Sequence, residues 1–416
     1  MNTILRIGIC NRPSISVNFH GDFTDKNGKI YNGKHTFSES IFLSPKTVDS
    51  IFELYDITIG INFHWQRNEN QCFTGALECK LNEGMLIAIN HIELEDYLHS
   101  VIASEMNAKA SLNLLKAHAV ISRSWALAQV NKELSEINGS DYPEDTENKH
   151  IKWYGHENHK LFDLCADDHC QRYQGITRIN SEVVKQAVKE TEGEILVSDN
   201  RICDTRFYKC CGGLTELYEN TWDEHHHPYL ISLTDSNTPN TNDLSIEQNA
   251  VDFIESEPDA FCNTKDKTIL SQVLNDYDLE TNDFYRWKVE YTQQELSSIV
   301  KERSGIDFGN IQDLIPIKRG ASGRIIELKI IGTKKTMIIG KELEIRKYLS
   351  HNHLYSSAFI VKRTPDNGFV FHGAGWGHGV GLCQIGAAVM ADKGYNYRQI
   401  LAHYYPNSEI KQINIY

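Results

Sequence analysis

The chain has no apolar run approaching the roughly 20 residues that a membrane-spanning helix requires, so none is expected in it. It also lacks a basic surplus. With 56 acidic against 42 basic residues, the net charge of −14 argues against a general nucleic-acid binder, because nothing offsets phosphate repulsion. Any anionic ligand must therefore meet a local cluster of cations. The opening M-N-T-I-L-R-I-G-I-C reads directly as a β-strand and has none of the basic, apolar and small-residue zones of an export signal. Two placements stay open from that start: the cytoplasm, or the envelope after removal of a leader. Internal repeats and low-complexity tracts are also missing. Ten cysteines in 416 residues are too sparse for a disulfide scaffold and numerous for a cytosolic enzyme. Cys72 and Cys79 are spaced to bridge a hairpin in an oxidising compartment.

A chain of this length exceeds what one hydrophobic core serves, so two or three packed units are expected. From residue 4 to about 90 the text is strand-like (L-R-I-G-I, S-I-S-V-N-F, I-T-I-G-I-N-F, M-L-I-A-I-N), punctuated by the turn signals K-N-G-K and Y-N-G-K. The predicted fold is α+β. A β-rich unit covers residues 1–83, a core covers 84–232 and 340–416, and an accessory α+β segment is inserted at 233–339. The polar stretch 138–158 reads as a surface loop, and 235–266 as mostly exposed.

The stretch Glu95 to Arg123, E-D-Y-L-H-S-V-I-A-S-E-M-N-A-K-A-S-L-N-L-L-K-A-H-A-V-I-S-R, organises the rest. Glu105 falls in what reads as a short irregular segment ahead of a helix. Ser111 is its N-cap, and Leu112, Leu115, Ala119, Ser122 and Ala126 form its inward stripe. Lys116 and Arg123 are almost two turns apart, about 10.5 Å along one side. Pattern alone leaves two readings: an acid beside a cationic track for an anionic polymer, or a core helix with two solvated basic residues.

Further on, His159, Cys165, His169 and Cys170 fall within twelve residues. Two thiolates and two imidazoles complete a tetrahedral zinc shell, with His156 as a substitute ligand; unliganded cysteines are the alternative. In Y-K-C-C-G-G-L-T, Cys211 is either a nucleophile with no partner in the pattern or a buried structural thiol. The glycine run F-H-G-A-G-W-G-H-G-V-G-L-C-Q-I-G-A permits positive φ and close backbone approach before a helix. It lacks the Lys-Ser/Thr of a phosphate loop.

Together these motifs are similar to those of one family. E-D-Y-L-H-S-V-I-A-S-E-M followed by L-K-A-H-A-V-I-S-R-S-W-A, then C-Q-R-Y-Q-G, A-V-K-E-T-E-G-E-I-L, C-C-G-G-L-T-E, I-R-K-Y-L, G-W-G-H-G-V-G-L-C-Q-I-G-A and L-A-H-Y-Y-P-N-S-E-I, resembles the stage II sporulation protein D and LytB amidase-enhancer family over about residues 84–416. The resemblance implies a lytic transglycosylase that cuts peptidoglycan glycan between N-acetylmuramic acid and N-acetylglucosamine, leaving 1,6-anhydro ends, on strands stripped of their peptides. It puts Glu105 on the catalytic acid, Lys116 and Arg123 on functional basic positions, and Tyr173, Cys211, Trp376, His378 and Gln384 among substrate-binding positions. It also implies a structural zinc at His159, Cys165, His169 and Cys170, an extracytoplasmic location, and peptidoglycan strands and a cell-wall amidase as partners. Cys210-Cys211 and Cys383 depart from the Ser or Thr expected there, and residues 235–266 have no clear counterpart.

A glycosidase ordinarily needs two carboxyls. In a lytic transglycosylase the sugar's own 6-hydroxyl attacks, so one residue serves as acid and then as base. Glu105 must then be protonated near neutral pH, which calls for an apolar setting such as Val101, Ile102 and Met106 provide. Two other readings stand beside this one: a non-catalytic enhancer of a cell-wall amidase, and a zinc hydrolase.

Overall fold

A computed structural model of the chain describes residues 3–61, 66–107, 110–131, 144–153, 159–167, 169–178, 181–273 and 283–413. The fold is mixed α+β, and the chain divides into two compact units. The first holds residues 1–134, 158–204 and 410–416; the second holds 135–157 and 205–409. The cuts fall elsewhere than the boundaries expected at 83, 232 and 340.

Eight strands open the first unit: β1 (Ile4–Arg12), β2 (Ile15–Thr24), β3 (Ile30–Phe37), β4 (Ile41–Pro45), β5 (Ile51–Ile59), β6 (Arg67–Phe73), β7 (Ala76–Asn82) and β8 (Met85–Glu93). Period-2 burial drives them: Leu5 and Ile7 on β1, and Ile15, Val17 and Phe19 on β2, point into the core while their neighbours face out. The order is β1-β8-β7-β4-β2-β5-β6, with β3 on β2 and the short strand Leu164–Cys165 added in parallel to β1. Glu83 and Gly84, both at positive φ, close the β7–β8 hairpin as a two-residue turn requires. Y-N-G-K is not a turn, as the sequence suggested; it lies inside β3, where the β2 partner bulges between Phe19 and Phe23. Cys72 and Cys79 are free thiols, as are the other eight cysteines.

β8 is buried along most of its length and passes straight into helix α1 (Leu94–Glu105). Leu94, Tyr97, Leu98, Val101 and Ile102, at helical spacing, are buried on it. Glu105 is therefore the last residue of a helix and not part of an irregular segment. Helix α2 (Leu112–Val130) starts where expected, with Ser111 Oγ accepting the Leu114 N–H at 3.4 Å. It is buried around its whole circumference from Ala117 to Leu127 and not along one stripe, because α1, α3 (Glu182–Glu190) and the strand Glu194–Ser198 surround it.

His118 of α2 sits in that core and shares a 3.2 Å hydrogen bond with Ser122 Oγ. Burial takes its pKa down from 6.5 to about 3. The folded His118 stays neutral where the unfolded chain takes up a proton. This contribution to stability is therefore complete above pH 6.5 and is lost as the pH falls toward 3, at up to about 1.4 kcal/mol per pH unit. Thermal midpoints measured across that window should fall less steeply for His118→Gln than for wild type; parallel curves would contradict the assignment.

The second unit carries the sheet Ile311–Arg319, Ile325–Gly332, Thr336–Gly340, Lys149–Ile151, Glu144–Asp145, in that order. The last two strands lie in the stretch read as a loop; residues 138–143 and 154–158 of it, His156 included, are outside the described residues. A three-stranded sheet (Arg286–Tyr291, Phe369–Ala374, Phe359–Arg363) shares the core of Trp287, Leu296, Phe308, Ile330, Ile345 and Phe371. Phe207–Tyr208 pairs in parallel with Leu382–Cys383, at the head of the helix Gln384–Asp392. The segment 235–266 is exposed at just over half of its positions, as its text suggested, yet it also carries a buried set. Asp235, Leu244, Ala250, Ile254, Phe261 and Cys262 are buried, Ala250 and Ile254 on the helix Glu247–Glu255.

Candidate functional site

In the first unit the segment that follows Leu164–Cys165 lies across α1. It begins at the sheet edge, where Ile7 and Gly8 of β1 face Leu164 and Cys165 and the Phe162 ring lies flat over Gly8; a Cβ there would overlap the ring. Beyond Cys170 the chain is tied to α1 residue by residue. The Tyr97 hydroxyl donates to Gln171 Oε1 at 3.1 Å, the Arg172 N–H donates to Glu105 Oε1 at 3.0 Å, and the Gln174 N–H donates to Ser100 Oγ at 3.1 Å. Tyr173 stacks on Tyr97 with ring centroids 5.2 Å apart and donates its hydroxyl to Asn90 Oδ1 of β8.

Glu105 is thus a half-buried carboxyl at the C-terminus of a rigid helix, held from the far side by a backbone N–H. Met106, directly after it, is buried, as are Val101 and Ile102, one turn before it. The other two acids of α1 cannot pair with it. Glu95 is taken by Arg123, and Asp96 lies nine residues earlier, about 13.5 Å along the helix. That exceeds the roughly 5–9.5 Å between the paired carboxyls of glycosidases.

The four donors singled out in sequence come together beside this acid. Cys170 Sγ lies 3.5 Å from His159 Nε2 and 3.5 Å from His169 Nδ1, and Cys165 Sγ lies 3.8 Å from His169 Nδ1. All four donor atoms are within 4.8 Å of one another. A tetrahedral ion at about 2.0–2.3 Å from its ligands has donor–donor edges of about 3.3–3.8 Å, so the set fits zinc. The adjacent positions 169 and 170 converge because a turn, closed by the Cys170 N–H on the Asp167 carbonyl, intervenes. Hydrogen bonding, first from Cys170 and then from His159 and His169, holds the Cys165 thiol far below its ordinary range, the form a metal requires. The cluster and Glu105 share surroundings. The Tyr97 hydroxyl is pushed far up, first by burial and then by the charges of Cys170, Cys165 and Glu105.

The two cations do not form an open track. Arg123 is completely buried and forks onto Glu95, with Nε to Oε1 at 2.7 Å and Nη2 to Oε2 at 2.6 Å, and its Nη1 donates to the Glu194 carbonyl at 3.0 Å. Lys116 pairs with Glu190 of α3 and holds that carboxyl below its ordinary range. The expected shared outward face fails because α2 is enclosed on all sides. Tyr173, also expected to meet substrate, is a core residue.

The second unit contains the remaining sequence candidates. Trp376 and Cys210 exchange backbone hydrogen bonds at 2.7 and 3.0 Å, and the Trp376 ring stacks on Phe284 at 4.9 Å. Gly375 is at positive φ here, and a Cβ on it would collide with the Cys210 carbonyl. His378 Nδ1 accepts the Val380 N–H at 3.1 Å, so its Nε2 is the donor to the Phe207 carbonyl at 3.0 Å. Its ring lies between Tyr208 and Trp222, with centroids at 5.1 and 4.5 Å, and burial keeps it neutral. The Arg206 guanidinium covers the other ring, 4.4 Å from the Trp222 centroid. Gln384 and Cys211 are buried. Trp222 and Arg206 were missed in sequence, and only their aromatic and cationic character could have signalled them.

A family model described as stage II sporulation protein matches residues 82–197, which span Glu105 and all four donors, and another, a domain of unknown function, matches residues 216–381. Over the first of these regions the chain is similar to the stage II sporulation protein family. It is 23% identical over 326 residues to stage II sporulation protein D of Bacillus amyloliquefaciens, covering 78% of this chain and 76% of that one. It is 26% identical to an uncharacterized protein of Brachyspira hyodysenteriae over 79% of this chain and 69% of that one. To the amidase enhancer of Bacillus subtilis it is 24% identical over 75% of this chain, which spans only 40% of that relative's length. Among the described residues no helix is long and apolar enough to cross a membrane.

Proposed function

We propose that the protein is a lytic transglycosylase acting on peptidoglycan glycan strands, with Glu105 as acid and then base. The observation that carries this reading is the seating of Glu105 at the end of α1, opposite the Arg172 N–H, inside the family-matched region. The half-buried site and the negative end of the helix dipole favour the protonated acid, whereas the Arg172 N–H favours the carboxylate. One pocket thereby supports both forms that the cycle uses. The acid protonates the glycosidic oxygen as the bond to the anomeric carbon breaks. The carboxylate then accepts the proton of the 6-hydroxyl as that oxygen closes the 1,6-anhydro ring.

A zinc ion on His159, Cys165, His169 and Cys170 would be structural, because four protein ligands leave no open position for water. It would fix the segment whose Arg172 N–H and Gln171 side chain meet α1. Arg123 and Lys116 act here as positioning residues and not as glycan contacts. Trp222 and Trp376 of the second unit, both half-buried, are the aromatic side chains there suited to stacking on sugars. Residues 233–339 are read as an accessory segment. Such a substrate places the protein outside the cytoplasmic membrane.

The test is product analysis: peptide-stripped glycan strands incubated with the full chain, followed by mass spectrometry. Anhydro-muramic ends are expected. Free reducing ends would keep the substrate and overturn the mechanism. Intact glycan together with stimulation of a cell-wall amidase would favour the reading suggested by the amidase-enhancer relative.

A further inference from the structure

A separate group of donors lies in the core of the second unit. Cys211, Asp235, Cys262 and Cys383 are all buried, and each offers a ligand atom within 4.8 Å of the other three. We propose that these four residues bind one zinc ion, a structural site distinct from the Cys/His cluster of the first unit.

The spacing fits a single ion. Tetrahedral zinc–sulfur bonds of about 2.3 Å imply donor–donor edges of about 3.8 Å, and Cys211 Sγ and Cys262 Sγ are 3.3 Å apart. A two-iron cluster with bridging sulfides would spread its thiolates farther. The chemistry fits as well: three sulfurs and one carboxylate select a thiophilic, tetrahedral ion. Four protein donors leave no position for water, so the site is structural and not catalytic.

The surroundings are those of a ligand shell. Cys383 Sγ accepts the N–H groups of Cys211 at 3.2 Å and Gly386 at 3.4 Å, the latter at the start of the helix Gln384–Asp392. Cys211 Sγ accepts the Gly213 N–H at 3.3 Å. Asp235 Oδ2 accepts the Cys262 N–H at 2.9 Å, and its Oδ1 accepts the Tyr404 hydroxyl at 2.5 Å. Every donor is thus oriented by a neighbour or is itself a neighbour's anchor, as the outer partners of metal ligands are. The charge is moderated by the same N–H groups and by Arg324, a buried guanidinium 3.4 Å from the Cys211 carbonyl. Gly386 has no side chain where a Cβ would overlap Tyr404 and Asp235. Without an ion, this core holds a carboxylate and three thiols in mutual contact, an expensive arrangement for an apolar interior.

The ion would join four segments distant in sequence. Asp235 and Cys262 lie within the matched stretch 216–381, while Cys211 and Cys383 lie just beyond its two ends. The site would therefore fasten that stretch to its own flanks. It would also set the Cys210–Trp376 pairing beside Cys211.

The experiment counts zinc by elemental analysis in untagged, full-length protein purified under reducing conditions. The Cys165→Ser/Cys170→Ser variant leaves the second unit untouched and is expected to retain about one zinc per chain. Adding Cys262→Ser should remove it. Because that triple variant may misfold, the retained zinc is also titrated out of the folded double variant with an organomercurial, and its release should parallel the modification of three thiols. A folded Cys165→Ser/Cys170→Ser protein without zinc would overturn the proposal. So would peptide mapping of alkylated wild type that finds Cys211 and Cys262 joined as a disulfide.

Discussion

Glu105→Gln is expected to lower the yield of anhydro-muramic ends by roughly 10²–10⁴-fold, the usual worth of a positioned acid–base group. The change is conservative in shape. Glutamine keeps a carbonyl oxygen able to accept the Arg172 N–H, so circular dichroism and the thermal midpoint should stay near wild type. Binding to glycan, followed by co-sedimentation, should survive as well. A variant that still forms anhydro ends at the wild-type rate would remove Glu105 from the chemistry. A chelator-sensitive activity that survives in Glu105→Gln would instead point to a metal-assisted hydrolysis.

Arg123→Ala should act on stability first. It removes a fully buried guanidinium that makes two hydrogen bonds to Glu95 and one to the Glu194 carbonyl, and leaves those acceptors without it. Breaking one side of a buried pair costs about 3–5 kcal/mol. Glu95 keeps a fifth of its side chain in water, which argues for the lower end, about 3 kcal/mol. For a unit of this size that is a fall of about 6–12 °C in midpoint. Arg123→Lys should recover little, since an ammonium cannot reproduce the fork. The double variant with Glu95→Ala should cost less than the sum of the two single changes. If Arg123 met the glycan instead, Arg123→Ala would raise KM at an unchanged midpoint.

Much of the first unit was legible because its signals are local. Alternating burial marked the strands, Ser111 marked the start of α2, and the glycine run marked a backbone that four positive-φ glycines do turn. The four donors of the Cys/His cluster were legible because they crowd within one short stretch. What escaped depends on enclosure. Periodicity cannot show that a helix is covered on all sides, so Arg123 and Lys116 read as outward cations when both are engaged by carboxylates. The Arg172 N–H on Glu105 has no side-chain signature at all. Asp235 and Cys262 were hidden by their context, since a polar, turn-rich text around them suggested exposure where two buried donors sit.

The passage of β8 into α1 without an intervening loop bears on timing. Twelve residues of helix, about 18 Å, run from the sheet to Glu105 as a strut clamped at its base. Such a strut contains no loop, so the backbone that carries Glu105 is not set on a segment open to the nanosecond-to-microsecond excursions of loops. In the proposed mechanism, the approach of proton and glycosidic oxygen then falls to the glycan and to the rotamers of the Glu105 side chain. In the proposed cycle the backbone beneath Glu105 is then the fixed reference, and the glycan carries the approach.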